Sequence, residues 1–332
     1  MQIPAEKNIR VSIRVIRAQE LSIINCQLSI IEEMNRIMLL LASIAFLASC
    51  GTGGGERGEE LPVLTVTIEP LRSLTEAIAA DRFRVVSMVP RGSSPETYDP
   101  TPGQLVDLSR SRAYLRIGYI GFEQTWMERL EENAPHMRVF DTSEGIDLIH
   151  DSGHHHHATA EADHHHHHAH GVEPHVWNSA ANARIIAGNI LKALCTLDTL
   201  HRAEYVQRHD SLLRRIDRVD SLCRARLSAS GTQRTFLIYH PALSYFARDY
   251  GLQQVAIETD GKEPSAATLK ELVGFCRQNS VHTVFVQPEF DRRSAEAIAR
   301  QTGSRVVDIN PLNPDWEAEM LHIAETLASK DN

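Results

Sequence analysis

Side chains that could bind a divalent metal ion follow several predicted strands of the sequence. Glu96 comes after the second predicted strand, His175 follows a His-rich segment, and His240 follows the first strand of the second half. Asn310 follows the last predicted strand, and Asp308 lies two residues earlier. A carboxylate, two imidazoles and a further oxygen donor are an ordinary ligand set for a first-row divalent ion. Each residue alone is more often a loop or packing residue, so a site requires that the fold bring them together.

A run of histidines forms a second group of candidate ligands. Ten of the 18 histidines lie between residues 154 and 170, and the segment 151–171 consists almost entirely of His, Ala, Asp and Glu. This composition cannot form a core, so we predict a surface loop. We interpret it as an auxiliary low-affinity collector that keeps metal ions near the main site, with low-complexity drift as the alternative. The histidines are His154, His155, His156, His157, His164, His165, His166, His167, His168 and His170.

The elements that must position these residues alternate between strands and helices. This rhythm predicts an α/β fold of two lobes, each with a four-stranded parallel sheet and covering helices. The first lobe spans residues 61–198 and the second spans 231–330, and a long helical pattern over 199–230 predicts one bridging helix. The predicted strands are 61–69, 84–89, 113–117 and 137–140, then 235–239, 254–258, 283–287 and 305–309.

Two facing lobes of this kind define where a ligand would bind. In open parallel sheets, ligands bind beyond the carboxyl ends of the strands. The loops that follow the strands of both lobes would therefore meet across a shared cleft. Glu96, His175 and His240 are all placed in such loops, so the cleft is the predicted metal site.

The N-terminal region is typical of an exported protein. Met34 opens a short basic segment, an apolar run follows over residues 37–47, and small residues lead to Cys50. We interpret residues 34–49 as a signal peptide. Residues 47–50, Leu-Ala-Ser-Cys, resemble the lipobox of bacterial lipoproteins, which implies a lipid on Cys50. Residues 50–60 then form a flexible tether, and we interpret residues 1–33 as a start-site artefact.

Composition excludes several other classes of function. The formal net charge is −9, which disfavours binding to nucleic acid. The five cysteines are scattered and form no Cys-x-x-Cys motif, so neither a disulfide scaffold nor a thiolate zinc site is indicated. The apolar run at 37–47 is too short to span a bilayer.

Five motifs in a fixed order resemble those of one protein family. They are residues 90–102 (PRGSSPETYDPTP), 173–177 (EPHVW), 239–247 (YHPALSYFA), 263–265 (EPS) and 284–290 (VFVQPEF). Over about residues 62–329, the chain resembles the metal-binding solute receptors of bacterial ABC importers, the zinc/manganese class known as solute-binding protein family 9. The resemblance implies two lobes with metal between them and no enzymatic activity. It also implies a monomer at the membrane of a bacterium, in the periplasm, that serves an inner-membrane ABC permease with its cytoplasmic ATPase.

Two positions depart from the family's pattern. The family usually has histidine where this chain has Glu96, and often has aspartate where this chain has Asn310, so Asp308 is an alternative for that ligand. The implied ligands are Glu96, His175 and His240, with Asn310 or Asp308 as the fourth. A carboxylate in place of an imidazole tolerates Mn²⁺ or Fe²⁺ better, whereas the His-rich loop favours Zn²⁺. We expect Zn²⁺, with Mn²⁺ or Fe²⁺ as the alternative.

Two further classes of function use the same residues differently. The first is a metal-dependent hydrolase in which Glu96 or Glu263 acts as the general base, although the sequence contains no His-Glu-x-x-His motif. The second is a metal buffer or surface adhesin in which the His-rich loop is the active part.

Overall fold

The computed structural model describes residues 61–150, 171–259 and 261–329. The predicted signal peptide, Cys50, the tether and the histidines from His154 to His170 lie outside these residues. The described chain forms two parallel sheets of four strands each, flanked by helices. The predicted fold class is therefore confirmed.

The first sheet has the strand order β2-β1-β3-β4, with every neighbouring pair parallel. Its strands are β1 (Val63–Val66), β2 (Arg84–Ser87), β3 (Ser111–Arg116) and β4 (Arg138–Asp141). The helices of this half are α1 (Glu69–Ala79), α2 (Pro102–Leu108), α3 (Gly121–Asn133) and α4 (Ala180–Leu197). A short 3₁₀ turn, Ala80–Arg82, links α1 to β2.

The second sheet repeats this arrangement with the order β6-β5-β7-β8, again all parallel. Its strands are β5 (Thr235–Ile238), β6 (Gln253–Ala256), β7 (Thr283–Val286) and β8 (Arg305–Asp308). Before it lies the long helix α5 (Arg202–Leu227), and within it lie α6 (Ser244–Tyr250), α7 (Ala266–Asn279), α8 (Arg293–Thr302) and α9 (Trp316–Ala328).

Local sequence accounts for these elements. All four residues of β7 are buried, as expected for a strand covered by helices on both faces. Thr101 caps α2 in a capping box with Gln104, and Pro102 occupies the first turn, where its missing N–H costs nothing. The first strand ends at Val66 rather than at residue 69, because α1 already begins at Glu69, with Pro70 in its first turn.

Helix α5 packs against both halves of the described chain. With 26 residues it is about 39 Å long at 1.5 Å per residue. It contacts α1 and α4 of the first half and α9 of the second half. Its buried side chains, spaced three or four residues apart over most of its length, are Tyr205, Leu212, Ile216, Val219, Cys223 and Leu227. Because this helix packs against helices of both halves, its buried side chains belong to a core that the two halves share.

The carboxyl ends of the two sheets open toward each other. In the second sheet, β5 and β7 are neighbours. The chain continues from β5 to β6 at one edge of the sheet and from β7 to β8 at the other edge, and this reversal creates a crevice at the strand ends. Hydrogen bonds cross between the halves here: the Trp177 indole donates to the Pro311 carbonyl at 2.8 Å, and the Trp316 indole donates to the Trp177 carbonyl at 2.7 Å. Over the described residues, none of the helices is both long and apolar enough to cross a membrane.

Candidate metal centre

A small cavity lies between the two halves, at the carboxyl ends of the strands. Its volume is about 20 Å³, which is room for about one water-sized particle. Four side chains that can bind metal line it: Glu96, His175, His240 and Glu289. The other lining residues are Ser94, Pro95, Trp177, Ala242, Gln287, Phe290, Pro311 and Leu312. The structure thus brings together three predicted ligands from distant parts of the sequence: Glu96 is 79 positions before His175, and His240 is 65 positions after it.

The two imidazoles face each other across this cavity. Nε2 of His175 lies 3.1 Å from Nε2 of His240, and their ring centroids are 4.9 Å apart. The other nitrogen of each ring contacts a carboxylate: Nδ1 of His175 contacts Glu173, and Nδ1 of His240 contacts Glu258 at 2.7 Å. A carboxylate accepts the proton of Nδ1, so the lone pair of each neutral ring lies on Nε2. Two lone pairs this close together require a proton or a cation between them.

Burial and charge act in opposite directions on His175. Burial of the ring, which is 5% exposed, disfavours the imidazolium and lowers its pKa. The negative charges of Glu173, Glu96 and Glu258 outweigh that effect, so the pKa of His175 is raised. The same carboxylates favour any cation in this position. The electrostatics of the cavity therefore suit a positive ion.

Glu96 presents an oxygen that lacks a partner. Its Oε2 accepts a hydrogen bond from the backbone N–H of Gly121 at 3.2 Å. Its Oε1 is buried and has no hydrogen-bond partner. A buried carboxylate oxygen without a partner is costly, and a bound cation would supply one. The chemistry of this donor set, two imidazole lone pairs and a free carboxylate oxygen, fits a first-row divalent ion.

The loop after β7 contributes two residues that the sequence analysis did not assign. The Gln287 amide donates to the carbonyl of His240 at 2.6 Å and accepts from its backbone N–H at 3.2 Å, which fixes that backbone. Glu289 lines the cavity itself. Burial raises the pKa of Glu289, and the charge of His240 offsets part of that effect. His240 was selected by the rule that polar residues just after a parallel strand face the ligand, and this rule also applies to Glu289. It misses Gln287, because the predicted strand 283–287 includes that residue, whereas the observed strand ends at Val286.

The structure does not bring Asn310 or Asp308 to this cavity. The Asn310 side chain accepts a hydrogen bond from the backbone N–H of Leu312 at 3.0 Å, so it serves the turn that follows β8. The Asp308 side chain is 74% exposed and pairs with Arg292 at 3.2 Å. Glu263, the alternative general base, is 70% exposed and does not line the cavity either.

The candidate ligands that line the cavity do not form a complete ligand shell in this structure. Among the residues that the structure describes, no three His, Cys, Asp or Glu side chains surround one point as ligands of an ion would. The imidazole pair is in place, and Glu96 and Glu289 line the same cavity. Binding of one ion by all of them therefore requires these groups to come closer together than they lie here.

Comparison with known proteins agrees with this geometry. The chain is similar to the high-affinity zinc uptake system protein ZnuA of Bacillus subtilis, with 27% identity over 85% of this chain and 89% of that protein. It is also similar to the manganese ABC transporter substrate-binding lipoprotein PsaA of Streptococcus anginosus, with 24% identity over 82% of this chain and 87% of that protein. A crystal structure of ZnuA superimposes with a TM-score of 0.73 and 34% identity, covering 81% of this chain and 98% of that one.

The family profile described as ZnuA, zinc-uptake complex component A, periplasmic, matches residues 64–330. That range contains both sheets except for Val63, and it contains the long helix and every residue of the cavity. The resemblance stated from the five motifs is therefore confirmed, and the chain belongs to the ZnuA family of metal-binding receptors of ABC importers.

Proposed function

We propose that this protein is the receptor of an ABC importer that binds zinc between its two halves and delivers the ion to a membrane permease. The observation that carries the proposal is the pair of Nε2 atoms 3.1 Å apart, each ring held by a carboxylate at its other nitrogen. The membership of the chain in the ZnuA family supports the same function.

The proposed ligands are His175, His240 and Glu96, the last through its unpartnered Oε1. Because Asn310 and Asp308 are engaged in other contacts, the proposed fourth donor is Glu289, the other carboxylate that lines the cavity. Two imidazoles and two carboxylates would balance the charge of a divalent cation. This set suits Zn²⁺, and its two carboxylates keep Mn²⁺ or Fe²⁺ as the alternative.

The size of the cavity favours a receptor over a hydrolase. A space for about one water-sized particle suits a single ion better than an organic substrate with a metal ion beside it. Glu263 lies away from the cavity, and one oxygen of Glu96 is held by a backbone N–H, so neither is placed as a general base beside a substrate. A receptor needs neither group in that role.

The remaining parts of the proposal concern residues outside the described ranges. We propose that the histidines from His154 to His170 act as an auxiliary metal collector, and that the protein is exported and anchored by a lipid on Cys50. It would then act as a monomer at the bacterial membrane, beside a permease and its ATPase. The family assignment supports export and the ABC partner, and the sequence pattern supports the lipid.

Metal content and competition titration of the purified protein test this function. Wild type is expected to bind one Zn²⁺ tightly, and His240→Ala is expected to lose that ion because half of the imidazole pair is removed. His322→Ala is the matched control, since His322 is exposed and its ring contacts only a backbone carbonyl among the hydrogen bonds of the described chain. Tight zinc binding by His240→Ala would contradict the proposed site, and tight Mn²⁺ or Fe²⁺ in the wild type would reassign the metal.

A further inference from the structure

Helix α3 begins against the loop that carries Glu96. Its N-cap residue, Ile120, has no side chain that can accept a hydrogen bond, so the first amides of the helix need other partners. The loop supplies them: the Gly121 N–H donates to Oε2 of Glu96 at 3.2 Å, and the Phe122 N–H donates to the Pro95 carbonyl at 3.0 Å. The helix start and the Glu96 loop therefore hold each other in place.

Glycine is required at position 121 by space rather than by backbone conformation. Gly121 is absent from the residues with positive φ, so any residue could adopt its backbone angles. A Cβ atom built there would lie 2.7 Å from the Glu96 carbonyl oxygen and 2.9 Å from Oε2 of the same residue. Both distances are shorter than van der Waals contact allows. A side chain at 121 would thus push away both the backbone and the carboxylate of Glu96.

The hydrogen bond from Gly121 occupies only one of the two oxygens of the Glu96 carboxylate. One oxygen, Oε2, accepts the hydrogen bond from the amide, and the other, Oε1, is left buried and unpartnered in a residue that lines the metal cavity. A carboxylate can do both because it has two acceptor oxygens. A neutral imidazole has a single acceptor nitrogen, so a histidine in the same contact could accept the amide or bind a metal, but not both.

We propose that Gly121 is a positioning residue for the metal site: its N–H fixes one oxygen of Glu96, its missing side chain leaves the space, and the two together make glutamate the fitting ligand at position 96. This inference rests on the proposed function, because it takes Glu96 to be a ligand. It adds that the departure from the histidine usual in the family is matched by the start of α3.

Zinc affinity of the purified full-length protein, measured by competition with a chromophoric chelator, tests the inference. Gly121→Ala is expected to bind Zn²⁺ about 10- to 100-fold more weakly, the usual cost of disturbing a residue that orients a metal ligand. Gly274→Ala is the matched control, because a Cβ there meets no atom within 4 Å, and it is expected to bind as wild type does. Thermal unfolding without metal verifies that both variants are folded.

A double-mutant cycle separates positioning from general damage. If Gly121 acts through Glu96, then Gly121→Ala costs no further affinity once Glu96→Ala is present. A loss of the same size in both backgrounds would overturn the inference, as would wild-type affinity in Gly121→Ala alone. Absence of tight zinc in the wild type would instead overturn the proposed function, and the inference with it.

Glu96→His gives a second test that leaves Gly121 unchanged. The family's usual ligand is expected to fail here, with zinc affinity at least about tenfold below wild type, because the imidazole cannot satisfy the Gly121 amide and the metal together. Affinity equal to or above wild type in Glu96→His would overturn the inference.

Discussion

Glu258 lies behind His240, at the ring nitrogen that faces away from the cavity. Its side chain is 7% exposed and accepts the Nδ1–H of His240 at 2.7 Å. While that proton is held on Nδ1, the lone pair of the neutral ring stays on Nε2, where the metal is expected to bind. Without the carboxylate, the proton is free to move to Nε2, and the lone pair is then no longer available to the metal.

Two substitutions at Glu258 are expected to lower metal affinity by different amounts. Glu258→Gln keeps an oxygen that can accept the Nδ1–H but removes the negative charge, and we expect about a tenfold loss, or about 1.4 kcal/mol. Glu258→Ala removes the acceptor as well and leaves the Nδ1–H without a partner. For it we expect about a 100-fold loss, or about 2.7 kcal/mol.

Competition titration with a zinc chelator measures both values, and unfolding without metal verifies that the variants are folded. Glu263→Gln is the matched control, since Glu263 is 70% exposed and does not line the cavity, and its affinity is expected to equal that of wild type. Wild-type affinity in Glu258→Ala would refute the reasoning that the carboxylate prepares the imidazole for metal. Equal losses in the Gln and Ala variants would show that charge alone matters.

Two other predictions concern the rest of the chain. Deletion of residues 153–170 is expected to lower the number of bound zinc ions yet leave one tight ion, as counted by metal analysis; loss of the tight ion would contradict a site in the cavity. Burial raises the pKa of Glu123 from 4.5 to about 7, despite the hydrogen bonds it accepts. The unfolded chain releases this proton first as the pH rises, so the free energy of unfolding should fall between about pH 4.5 and 7, by up to about 3 kcal/mol from this group. Denaturant titrations at several pH values measure this decrease. Glu123→Gln should reduce the dependence of the free energy of unfolding on pH, and an unchanged pH dependence in this variant would contradict the prediction.

The strands could be predicted because local patterns determine them. Each of the eight observed strands lies within or beside a predicted apolar, β-branched run, and the bounds differ by a few residues at most. β3 shows why bounds are harder. It begins at Ser111, a polar residue whose hydroxyl is buried against that of Thr65, 46 residues earlier in the chain. A contact over that distance leaves no trace in local hydrophobicity.

The residues of the site also differ in whether local sequence is enough to find them. His240 could be selected because it directly follows a predicted strand, and the strand-end rule needs only local information. The hydrogen bond from Gly121 to Glu96 joins residues 25 positions apart, and the one from His240 to Glu258 spans 18 positions. Only the fold shows that these groups meet.

Asn310 shows a case in which one sequence pattern allows two roles. Its place after the last strand matched the rule for ligands, and the resemblance supported the same role. A short polar side chain in such a loop can also accept a hydrogen bond from the backbone two residues later, and here it accepts from Leu312. The sequence pattern is the same for a ligand and for a turn residue, and the hydrogen bond to Leu312 favours the turn.

One metal ion is expected to bind between the two facing imidazoles. Crystals grown with zinc, measured on both sides of the zinc absorption edge, locate the ion directly by anomalous scattering. We predict a single strong peak at the cavity, within bonding distance of Nε2 of His175, Nε2 of His240 and a carboxylate oxygen of Glu96. A crystal with zinc bound elsewhere and no peak between the two histidines would contradict the account.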